Sequence, residues 1–303
     1  MELNPLYLMF TCILSIIYVW TLYNVPVTLA GVRRLLQASR KERKAPSLSS
    51  EKLPTVSVLV PVKNEEKVVG RLLRALLNLE YPSQKVEIII VDDGSTDKTI
   101  GICEGYVAKH PSRIRLLRRS TSDGKPSALN YGLKHARGEI VATFDADNVP
   151  ESDTLLKAVE FFGDHSVDAV QGTICSINAD ENMLTKFLSY EAAVRFKAYM
   201  QGKDVLRLFV PLAGTCQFIR RDVLTRIGGW SGESLSEDME ISARLTKNNC
   251  TIRYAPDIRS WEENPSTLSQ LITQRLRWYR GCLDAAFKYG KLAKRPSLRS
   301  IDA

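Results

Sequence analysis

The segment Val141-Ala142-Thr143-Phe144-Asp145-Ala146-Asp147-Asn148 decides how the rest of the sequence is interpreted. The apolar and β-branched residues from Ile140 to Phe144 predict a strand that is buried on both faces. Asp145 and Asp147 follow at the carboxyl end of this strand, which is the edge where open α/β sheets bind their ligands. The segment therefore predicts a binding site at the end of a central strand.

The spacing of the two aspartates indicates a divalent cation. Two ionised carboxylates that lie this close repel each other unless a cation lies between or beside them. Mg²⁺ or Mn²⁺ suits a site with few protein oxygens, because water and substrate phosphates complete its coordination shell. An isolated D-x-D also fits an acidic turn ended by Asn148-Val149-Pro150, so other motifs must decide between the two interpretations.

Length and composition exclude several classes of protein. A chain of 303 residues with 44% apolar and 25% charged residues is an ordinary globular composition, long enough for one large or two smaller domains. The six cysteines are scattered and form no C-x-x-C pair, so neither a disulfide framework nor a zinc site is indicated. The net charge is +8, and its basic residues are not evenly distributed.

The N-terminal segment is typical of a membrane span. No charged residue occurs from Leu3 to Val32, and the apolar core runs from Leu6 to Tyr23, close to the roughly 20 residues that cross a bilayer. Six basic residues follow between Arg33 and Lys44, whereas a signal peptide carries its positive charge before the apolar run. The positive-inside rule places everything downstream in the cytoplasm, with the basic run at anionic lipid headgroups and no nucleic acid as a partner.

The soluble part alternates strand and helix patterns. Strands are predicted at residues 55–62, 86–91, 114–117 and 140–144, and helices at residues 65–79, 96–109 and 127–136. This alternation predicts an α/β fold with a mostly parallel sheet covered by helices on both faces. The G-x-G-x-x-G and G-x-x-x-x-G-K-[ST] phosphate-binding fingerprints are absent from the sequence.

Further clusters of polar residues stand at the predicted ends of elements. Carboxylates after two strands can accept hydrogen bonds from a base and from ribose hydroxyls, and a loop lysine can reach a phosphate. Ser234 and Glu237 fit a capping box that begins a helix. The clusters are Pro61-Val62-Lys63-Asn64-Glu65-Glu66, Asp92-Asp93-Gly94-Ser95-Thr96-Asp97, Lys125, Leu212-Ala213-Gly214-Thr215, Ser236-Glu237-Asp238-Met239-Glu240 and Gln274-Arg275-Leu276-Arg277-Trp278.

Taken in order, these motifs resemble the family 2 inverting glycosyltransferases, in the membrane-bound branch of the cellulose, hyaluronan and poly-N-acetylglucosamine synthases. The resemblance covers Val56 to Gly281 and implies the GT-A fold, a nucleotide-binding α/β half merged with an acceptor half. It divides the chain into a transmembrane anchor (1–32), a basic juxtamembrane linker (33–54), a GT-A catalytic domain (55–265) and an amphipathic interfacial helix and tail (266–303) that carries Q-x-x-R-W.

The resemblance also implies a role for each motif residue. Asp145 and Asp147 would hold the sugar nucleotide and its Mn²⁺ or Mg²⁺ as the metal-site residues, with Asp147 preferred as the direct ligand, and Asp238 would be the general base. Lys125 would lie near the base or the diphosphate. The residues expected to line the nucleoside site are Pro61, Asn64, Glu65, Asp92 and Asp93.

The basic helix carries the remaining expected site residues. Gln274, Arg277 and Trp278 share one helix face, because residues three and four apart are neighbours on a helix. By the resemblance, Arg277 faces the diphosphate and Trp278 stacks on the acceptor sugar. Val62 and Lys63 stand where many relatives carry an aromatic residue, which leaves the nucleobase open.

The implied function is a membrane-bound transferase with a single N-terminal span and a cytoplasmic catalytic domain. It would move a sugar from a UDP- or GDP-sugar to a hydroxyl of a glycan or glycolipid and form a β-linkage. Transfer to a polyprenyl phosphate is the alternative. A nucleotidyltransferase is disfavoured because residues 59–67 contain no glycine, and a sensor that lacks activity would have lost Asp238 or a D-x-D carboxylate.

Overall fold

The computed structural model describes residues 5–38, 52–232, 234 and 236–289. The helices within these residues are α1 (Pro5–Ala38), α2 (Val69–Leu77), α3 (Thr99–Lys109), α4 (Lys125–His135), α5 (Thr154–Phe161), α6 (Met183–Ala193), α7 (Gln201–Val205), α8 (Arg221–Arg226), α9 (Glu237–Lys247) and α10 (Leu268–Tyr289). The strands are β1 (Val56–Val62), β2 (Val86–Asp92), β3 (Ile114–Arg118), β4 (Ile140–Thr143), β5 (Val149–Pro150), β6 (Ala169–Ser176), β7 (Gln217–Arg220) and β8 (Ile252–Glu262).

These strands form one sheet in the order β3-β2-β1-β4-β7-β6-β8-β5. The pairs β1–β2, β1–β4, β2–β3 and β6–β8 are parallel, whereas β4–β7, β6–β7 and β5–β8 are antiparallel. The α/β fold with a mostly parallel sheet is therefore confirmed. Each antiparallel pair includes at least one strand from the half of the chain after Asp147, where the sequence patterns assign no strands.

The sheet is covered on both faces, as predicted. Val58 and Val60 of β1 point into one apolar layer, and Leu59 between them points into the other. Alternate side chains of a strand leave on opposite faces, so β1 is buried on both faces and is apolar at every position except Ser57. The helices α2, α3 and α5 cover the first layer, and α4, α8 and α9 cover the second.

The helices α2 and α3 begin at Val69 and Thr99, later than the predicted starts at residues 65 and 96. The reason is that the residues before them form hydrogen bonds between the two loops instead of helical bonds. Glu65 N donates to Thr99 Oγ1 at 2.7 Å, and Lys98 N donates to Glu66 Oε2 at 3.0 Å. In contrast, α4 begins two residues earlier than predicted, because Pro126 suits the first turn of a helix.

The N-terminal helix packs against the rest of the fold through two glycines. In α1, residues Pro5–Gln37 are long and apolar enough to cross a membrane. Its C-terminal part contacts a continuous helical stretch made of α6, a π-helical segment (Val194–Met200) and α7. A Cβ on Gly31 would lie 1.8 Å from Ala198 O, and a Cβ on Gly202 would lie 1.8 Å from Val27 O. Only glycine permits this backbone approach. The basic residues Arg40 to Lys44 lie outside the described residues.

The helix α10 is amphipathic along its whole length. Its apolar residues recur every three or four positions and remain exposed on one face: Leu268, Ile272, Leu276, Tyr279, Leu283 and Phe287. The helix α6 exposes a similar face made of Met183, Phe187 and Tyr190, continued by Val194 of the π-helical segment. The ion pair between Arg275 and Glu191, at 2.5 Å, joins α10 to α6.

We predict that Gly202→Ala destabilises the protein, because the added methyl group forces α1 and α7 apart. The expected loss is about 1–3 kcal/mol, the usual range for overpacking. Gly101→Ala in α3 is the matched control, since a Cβ there meets no atom within 4 Å and helical Ala is more stable than Gly. Thermal unfolding of the full chain in detergent measures both. An equal change of the Tm in the two variants would contradict the close packing of α1 on α7.

Candidate active site

A cavity of about 370 Å³ opens at the carboxyl end of β4, between α6, α9 and α10. It brings together residues that are far apart in the sequence. The predicted site residues that line it are Lys125, Asp145, Asp147, Asp238, Gln274, Arg277 and Trp278. The structure therefore joins the D-x-D, the acidic helix start and the Q-x-x-R-W motif in one site.

The predicted nucleoside residues lie beside this cavity but do not line it. Asn64 has a left-handed backbone (φ 58°) and connects the loops that follow β1 and β2. Its side-chain oxygen accepts a hydrogen bond from Thr96 N at 2.8 Å, and its backbone N–H donates to Ser95 Oγ at 3.0 Å. Pro61 pairs in register with Val91 across the two strands. The two loops thus form one rigid unit.

Asp92 and Asp93 are buried and hold the surrounding loops. Asp92 accepts hydrogen bonds from the backbone N–H groups of Gly94 and Ser95, at 3.2–3.3 Å. The two oxygens of Asp93 are also engaged. Oδ1 pairs with Arg119 at 2.6 Å, and Oδ2 accepts from Ser122 Oγ at 2.8 Å and from Gly124 N at 3.0 Å. Asp93 therefore positions the loop that leads into α4.

That loop delivers Lys125 into the acidic site. Its Nζ lies 2.6 Å from Asp145 Oδ1, 2.9 Å from Glu237 Oε1 and 3.2 Å from Gly214 O. Burial lowers the pKa of Lys125, but the two carboxylates outweigh burial and hold the pKa above its ordinary value. For Glu237, burial raises the pKa, and the attraction of Lys125 outweighs it, so the pKa lies below the usual range. Lys125 therefore stays charged and links the D-x-D to α9.

One lysine does not neutralise the acidic site. Burial, followed by repulsion from Asp147 and Asp145, raises the pKa of Glu65 to about 7 and the pKa of Glu262 to about 8. Burial likewise raises the pKa of Asp145, despite its contact with Lys125. Carboxyl groups whose pKa values rise together indicate an excess of negative charge, which a cation would relieve.

Neighbouring polar groups fix the orientation of Asp147. The buried Asn148 accepts a hydrogen bond from Ser260 Oγ at 2.7 Å. Its amide N–H group then donates to Asp147 Oδ1 at 3.2 Å and to Glu262 Oε2 at 3.5 Å. Arg71 donates to the backbone oxygen of Asp147 at 3.1 Å. Strand β8 therefore supports the D-x-D from the side.

The donor set fits Mg²⁺ or Mn²⁺ held with the help of substrate. In the part of the chain that the structure describes, no three His, Cys, Asp or Glu side chains converge into a cage for an ion. Mg²⁺-type sites at substrate phosphates need only one or two protein carboxylates. Asp147 and Asp145, with surplus negative charge around them, supply that number.

The helix α9 begins at Glu237 and presents Asp238 to the cavity. The predicted capping box between Ser234 and Glu237 is wrong. Ser236 is the N-cap, and its hydroxyl donates to Asp238 Oδ1 at 2.5 Å, while Ser234 Oγ bonds the backbone oxygen of Ser236. A Cβ on Gly281 of α10 would lie 2.2 Å from Ser236 Cβ, so packing against α10 overrides the local capping pattern.

Asp238 keeps one oxygen available for chemistry. Its Oδ1 accepts hydrogen bonds from Ser236 Oγ and from Met239 N, the latter at 2.8 Å. In the described part of the chain, its Oδ2 has no hydrogen-bond partner. A carboxylate that is fixed by one oxygen and open at the other is suited to accept a proton.

Gln274, Arg277 and Trp278 of the Q-x-x-R-W motif lie on α10 and line one wall of the cavity. The guanidinium of Arg275 lies 4.8 Å from the centre of the Trp278 ring. Arg275 also pairs with Glu191, so the orientation of Trp278 depends on α6 as well as on α10.

Three further cavity residues were missed by the sequence analysis as site residues. Glu237 pairs with Lys125, Glu262 faces the D-x-D, and Thr215 Oγ1 accepts a hydrogen bond from Asp145 N at 3.0 Å. The sequence offers a hint for Glu262 like the one for Asp145. Both are acidic residues at the carboxyl end of a strand, and the Q-x-x-R-W helix follows Glu262. The contacts of Glu237 and Thr215 have no local signal.

The comparisons with known proteins show the family of the chain. Residues 54–281 match the profile of a family described as "Glycosyltransferase like family 2". The chain is 34% identical to the probable glycosyltransferase YdaM of Bacillus subtilis over 88% of this chain and 64% of that protein. It is 40% identical to the beta-monoglucosyldiacylglycerol synthase of Nostoc sp. over 76% of this chain and 49% of that protein. The chain therefore spans about half to two thirds of the length of these curated relatives.

A solved structure with the same fold contains a donor and a metal. It is a mannosyltransferase from Pyrobaculum calidifontis in complex with GDP-Man and Mn²⁺. The match has a TM-score of 0.65 and 26% sequence identity, and it covers 88% of this chain and 73% of that one.

We predict that the stability of the metal-free protein falls with rising pH and that Glu262 contributes to this fall. The folded state raises the pKa of Glu262 from 4.5 to about 8, so the folded state binds the proton more tightly than the unfolded state. The resulting stability is complete below pH 4.5 and is lost as the pH rises through 8. In EDTA, the Tm of Glu262→Gln should decline less than that of the wild type across this range. Glu160→Gln, at an exposed position on α5, should follow the wild type. A parallel decline of all three curves would contradict the charge excess.

Proposed function

The chain belongs to the glycosyltransferase family 2, and from this premise we propose that it is a membrane-bound, metal-dependent inverting transferase. It moves a sugar from a UDP- or GDP-sugar to a hydroxyl of a glycolipid or glycan and forms a β-linkage. The observation that carries this proposal is the position of Asp238, whose available oxygen lies in the same cavity as the D-x-D.

On the donor side, Asp145 and Asp147 would hold Mn²⁺ or Mg²⁺ at the diphosphate of the sugar nucleotide. Such an ion would supply positive charge against the departing diphosphate. Arg277 faces the same cavity and adds a guanidinium, which binds phosphate oxygens in a two-pronged geometry. Lys125 holds Asp145 in place and prevents mutual repulsion of the acids from opening the site. Pro61, Asn64, Glu65, Asp92 and Asp93 shape the adjoining nucleoside side.

On the acceptor side, Asp238 removes a proton. A sugar or glycerol hydroxyl is a poor nucleophile until a carboxylate at about 3 Å accepts its proton as the new bond forms. The hydroxyl oxygen attacks the anomeric carbon opposite the diphosphate, and the bond to the diphosphate breaks. The anomeric centre is thereby inverted, so an α-linked donor yields a β-linked product. Trp278, supported by Arg275, provides an aromatic surface beside the cavity for the acceptor, and Gln274 extends the polar wall.

The exposed apolar faces support a membrane location and a lipid-linked acceptor. α1 is a candidate span, and α6 and α10, which both contribute residues to the cavity, also carry exposed apolar faces. Helices with one apolar and one basic face lie in the plane of the membrane interface. A lipid headgroup in the bilayer would reach Asp238 between them. The name of the Nostoc relative, a beta-monoglucosyldiacylglycerol synthase, supports an acceptor of this type.

The orientation follows from the charges after α1. Arg33 and Arg34 lie at its C-terminal end, as the positive-inside rule requires for a catalytic domain in the cytoplasm. Sugar nucleotides are soluble donors of the cytoplasm, so the proposed topology and donor are consistent with each other.

We expect Asp238→Asn to lower transfer by roughly 10²-fold to 10⁴-fold, the range for loss of a general base. Donor affinity and Tm should stay near the wild-type values, because the amide has the same shape. Asp222→Asn removes an acid from the first turn of α8, outside the cavity, and controls for a simple helix-capping effect. Transfer is measured with diacylglycerol and oligosaccharide acceptors, and the anomeric configuration of the product by NMR. Normal turnover of Asp238→Asn, or transfer only to a polyprenyl phosphate, would overturn the hydroxyl-acceptor assignment.

We also expect metal dependence that acts through Asp147. EDTA should abolish transfer and Mn²⁺ or Mg²⁺ should restore it, and Asp147→Asn should lose on the order of 10²-fold. Electron paramagnetic resonance of Mn²⁺ in the presence of nucleoside diphosphate separates metal binding from turnover. Asp180→Asn, at an exposed position outside the cavity, should bind Mn²⁺ as the wild type does. Full activity in EDTA would contradict the proposal.

A further inference from the structure

A second cavity, of about 890 Å³, lies where the C-terminal end of α1 meets the catalytic domain. Four arginines from three separate parts of the chain converge on it: Arg33 and Arg34 of α1, Arg207 after α7, and Arg253 of β8. The acidic residues of its lining are Asp164 and Asp204. The cavity therefore has a net positive charge.

Three of the four arginines of this cavity have no acidic partner among the residues that the structure describes. Arg253 is neutralised by Asp204, which it contacts through two nitrogens at 2.7 and 3.0 Å. In contrast, Arg33, Arg34 and Arg207 form no ion pair and no side-chain hydrogen bond within the described residues. Guanidinium groups gathered around a cavity without acidic partners favour a ligand that carries phosphate.

The surroundings of the cavity are apolar on one side. Val205 and Leu206 line it and remain 44% and 43% exposed. On α1, the exposed apolar residues Leu29 and Val32 lie close to Arg33 on the helix surface. A ligand that satisfies both surfaces has an anionic head and apolar chains.

We propose that this cavity binds the headgroup of an anionic phospholipid, with its phosphate at Arg33, Arg34 and Arg207 and its acyl chains along α1. The proposal rests on the membrane location of α1 given above but requires no assumption about the reaction. A free phosphate or polyphosphate would use the arginines and leave the apolar rim unused. The occupant is therefore a lipid of the leaflet that α1 enters on the side of the catalytic domain.

This lipid is not the acceptor. The cavity contains the start of β8, whereas the catalytic cavity contains its end. The strand runs from Ile252 to Glu262, a distance of roughly 30 Å at about 3.3 Å per residue. A headgroup at Arg207 cannot reach Asp238.

The bound lipid would stabilise the helix that connects the two cavities. Val205 and Leu206 follow the π-helical segment, whose Arg195 and Phe196 line the catalytic cavity. Gly31 and Gly202 hold α1 against the same helix. A lipid that bridges Arg33 and Arg207 therefore joins α1 to α7 beyond their glycine contact.

The test uses the full chain in a nonionic detergent and three probes at equal concentration. These are dihexanoyl phosphatidylglycerol, dihexanoyl phosphatidylcholine and inorganic phosphate. We expect the phosphatidylglycerol alone to raise the Tm in a saturable way and to give a Kd by calorimetric titration. Arg207→Gln should raise this Kd about fivefold, and the triple change Arg33→Gln, Arg34→Gln and Arg207→Gln on the order of a hundredfold.

Two controls separate this site from unspecific attraction. Arg207→Lys keeps the charge and should bind nearly as well as the wild type. Arg137→Gln removes an exposed arginine that lines neither cavity, and its Kd should equal that of the wild type. Because the readout is binding, a failure here is distinct from a failure of the proposed reaction.

Several outcomes would overturn the proposal. Equal stabilisation by phosphatidylcholine would show that only the chains bind, and equal stabilisation by phosphate would show an anion site without a lipid. A wild-type Kd in the triple variant would place the lipid elsewhere. An equal increase of the Kd in Arg137→Gln would show that the lipid responds only to the net charge of the protein. If Arg207→Gln does not fold, the pair Arg33→Gln and Arg34→Gln should still raise the Kd about 25-fold.

Discussion

Surplus negative charge at the carboxyl end of β4 is the constraint on which the site depends. Of the described side chains, Lys125 alone forms an ion pair with an aspartate of the D-x-D. The same ammonium reaches Glu237, so one partly buried cation holds the donor side and the start of α9 together. The uncompensated carboxyl groups, Glu65 and Glu262, have pKa values raised into the neutral range. An acidic site of this kind is suited to receive a metal together with its substrate.

Close backbone packing at glycines determines where the surrounding helices lie. Gly281 allows α10 to rest on Ser236, which in turn holds Asp238 by a hydrogen bond. Gly31 and Gly202 likewise allow the backbones of α1 and the helix that ends in α7 to pack closely. These contacts hold α1 and α10, two helices with exposed apolar faces, against the same fold. The continuous helical stretch of α6, the π-helical segment and α7 joins the catalytic cavity to the arginine-lined cavity. Membrane contact and catalysis therefore share structural elements.

The elements in the first half of the chain could be predicted from the sequence because each produces a pattern in contiguous residues. The strands β1 to β4 are short apolar runs that end in polar clusters, and parallel strands buried on both faces require this composition. After Asp147, strands such as β5 and β7 have two and four residues and pair antiparallel with partners far along the chain. Patterns this short do not separate strand from loop. The capping box at Ser234 was wrong for a related reason, since packing of Gly281 on Ser236 overrides a local preference.

The sequence by itself determined the α/β class, the family, the long apolar helix and the amphipathic helix that carries Gln274, Arg277 and Trp278, because periodicity and strand-end motifs are properties of contiguous residues. Only the tertiary structure decided that Lys125 bridges Asp145 and Glu237, that Asn148 links Asp147 to Glu262, and that Arg207 meets Arg33 across a cavity. These pairs are separated by up to 174 positions. Their proximity follows from strand order and helix packing, which no local pattern encodes.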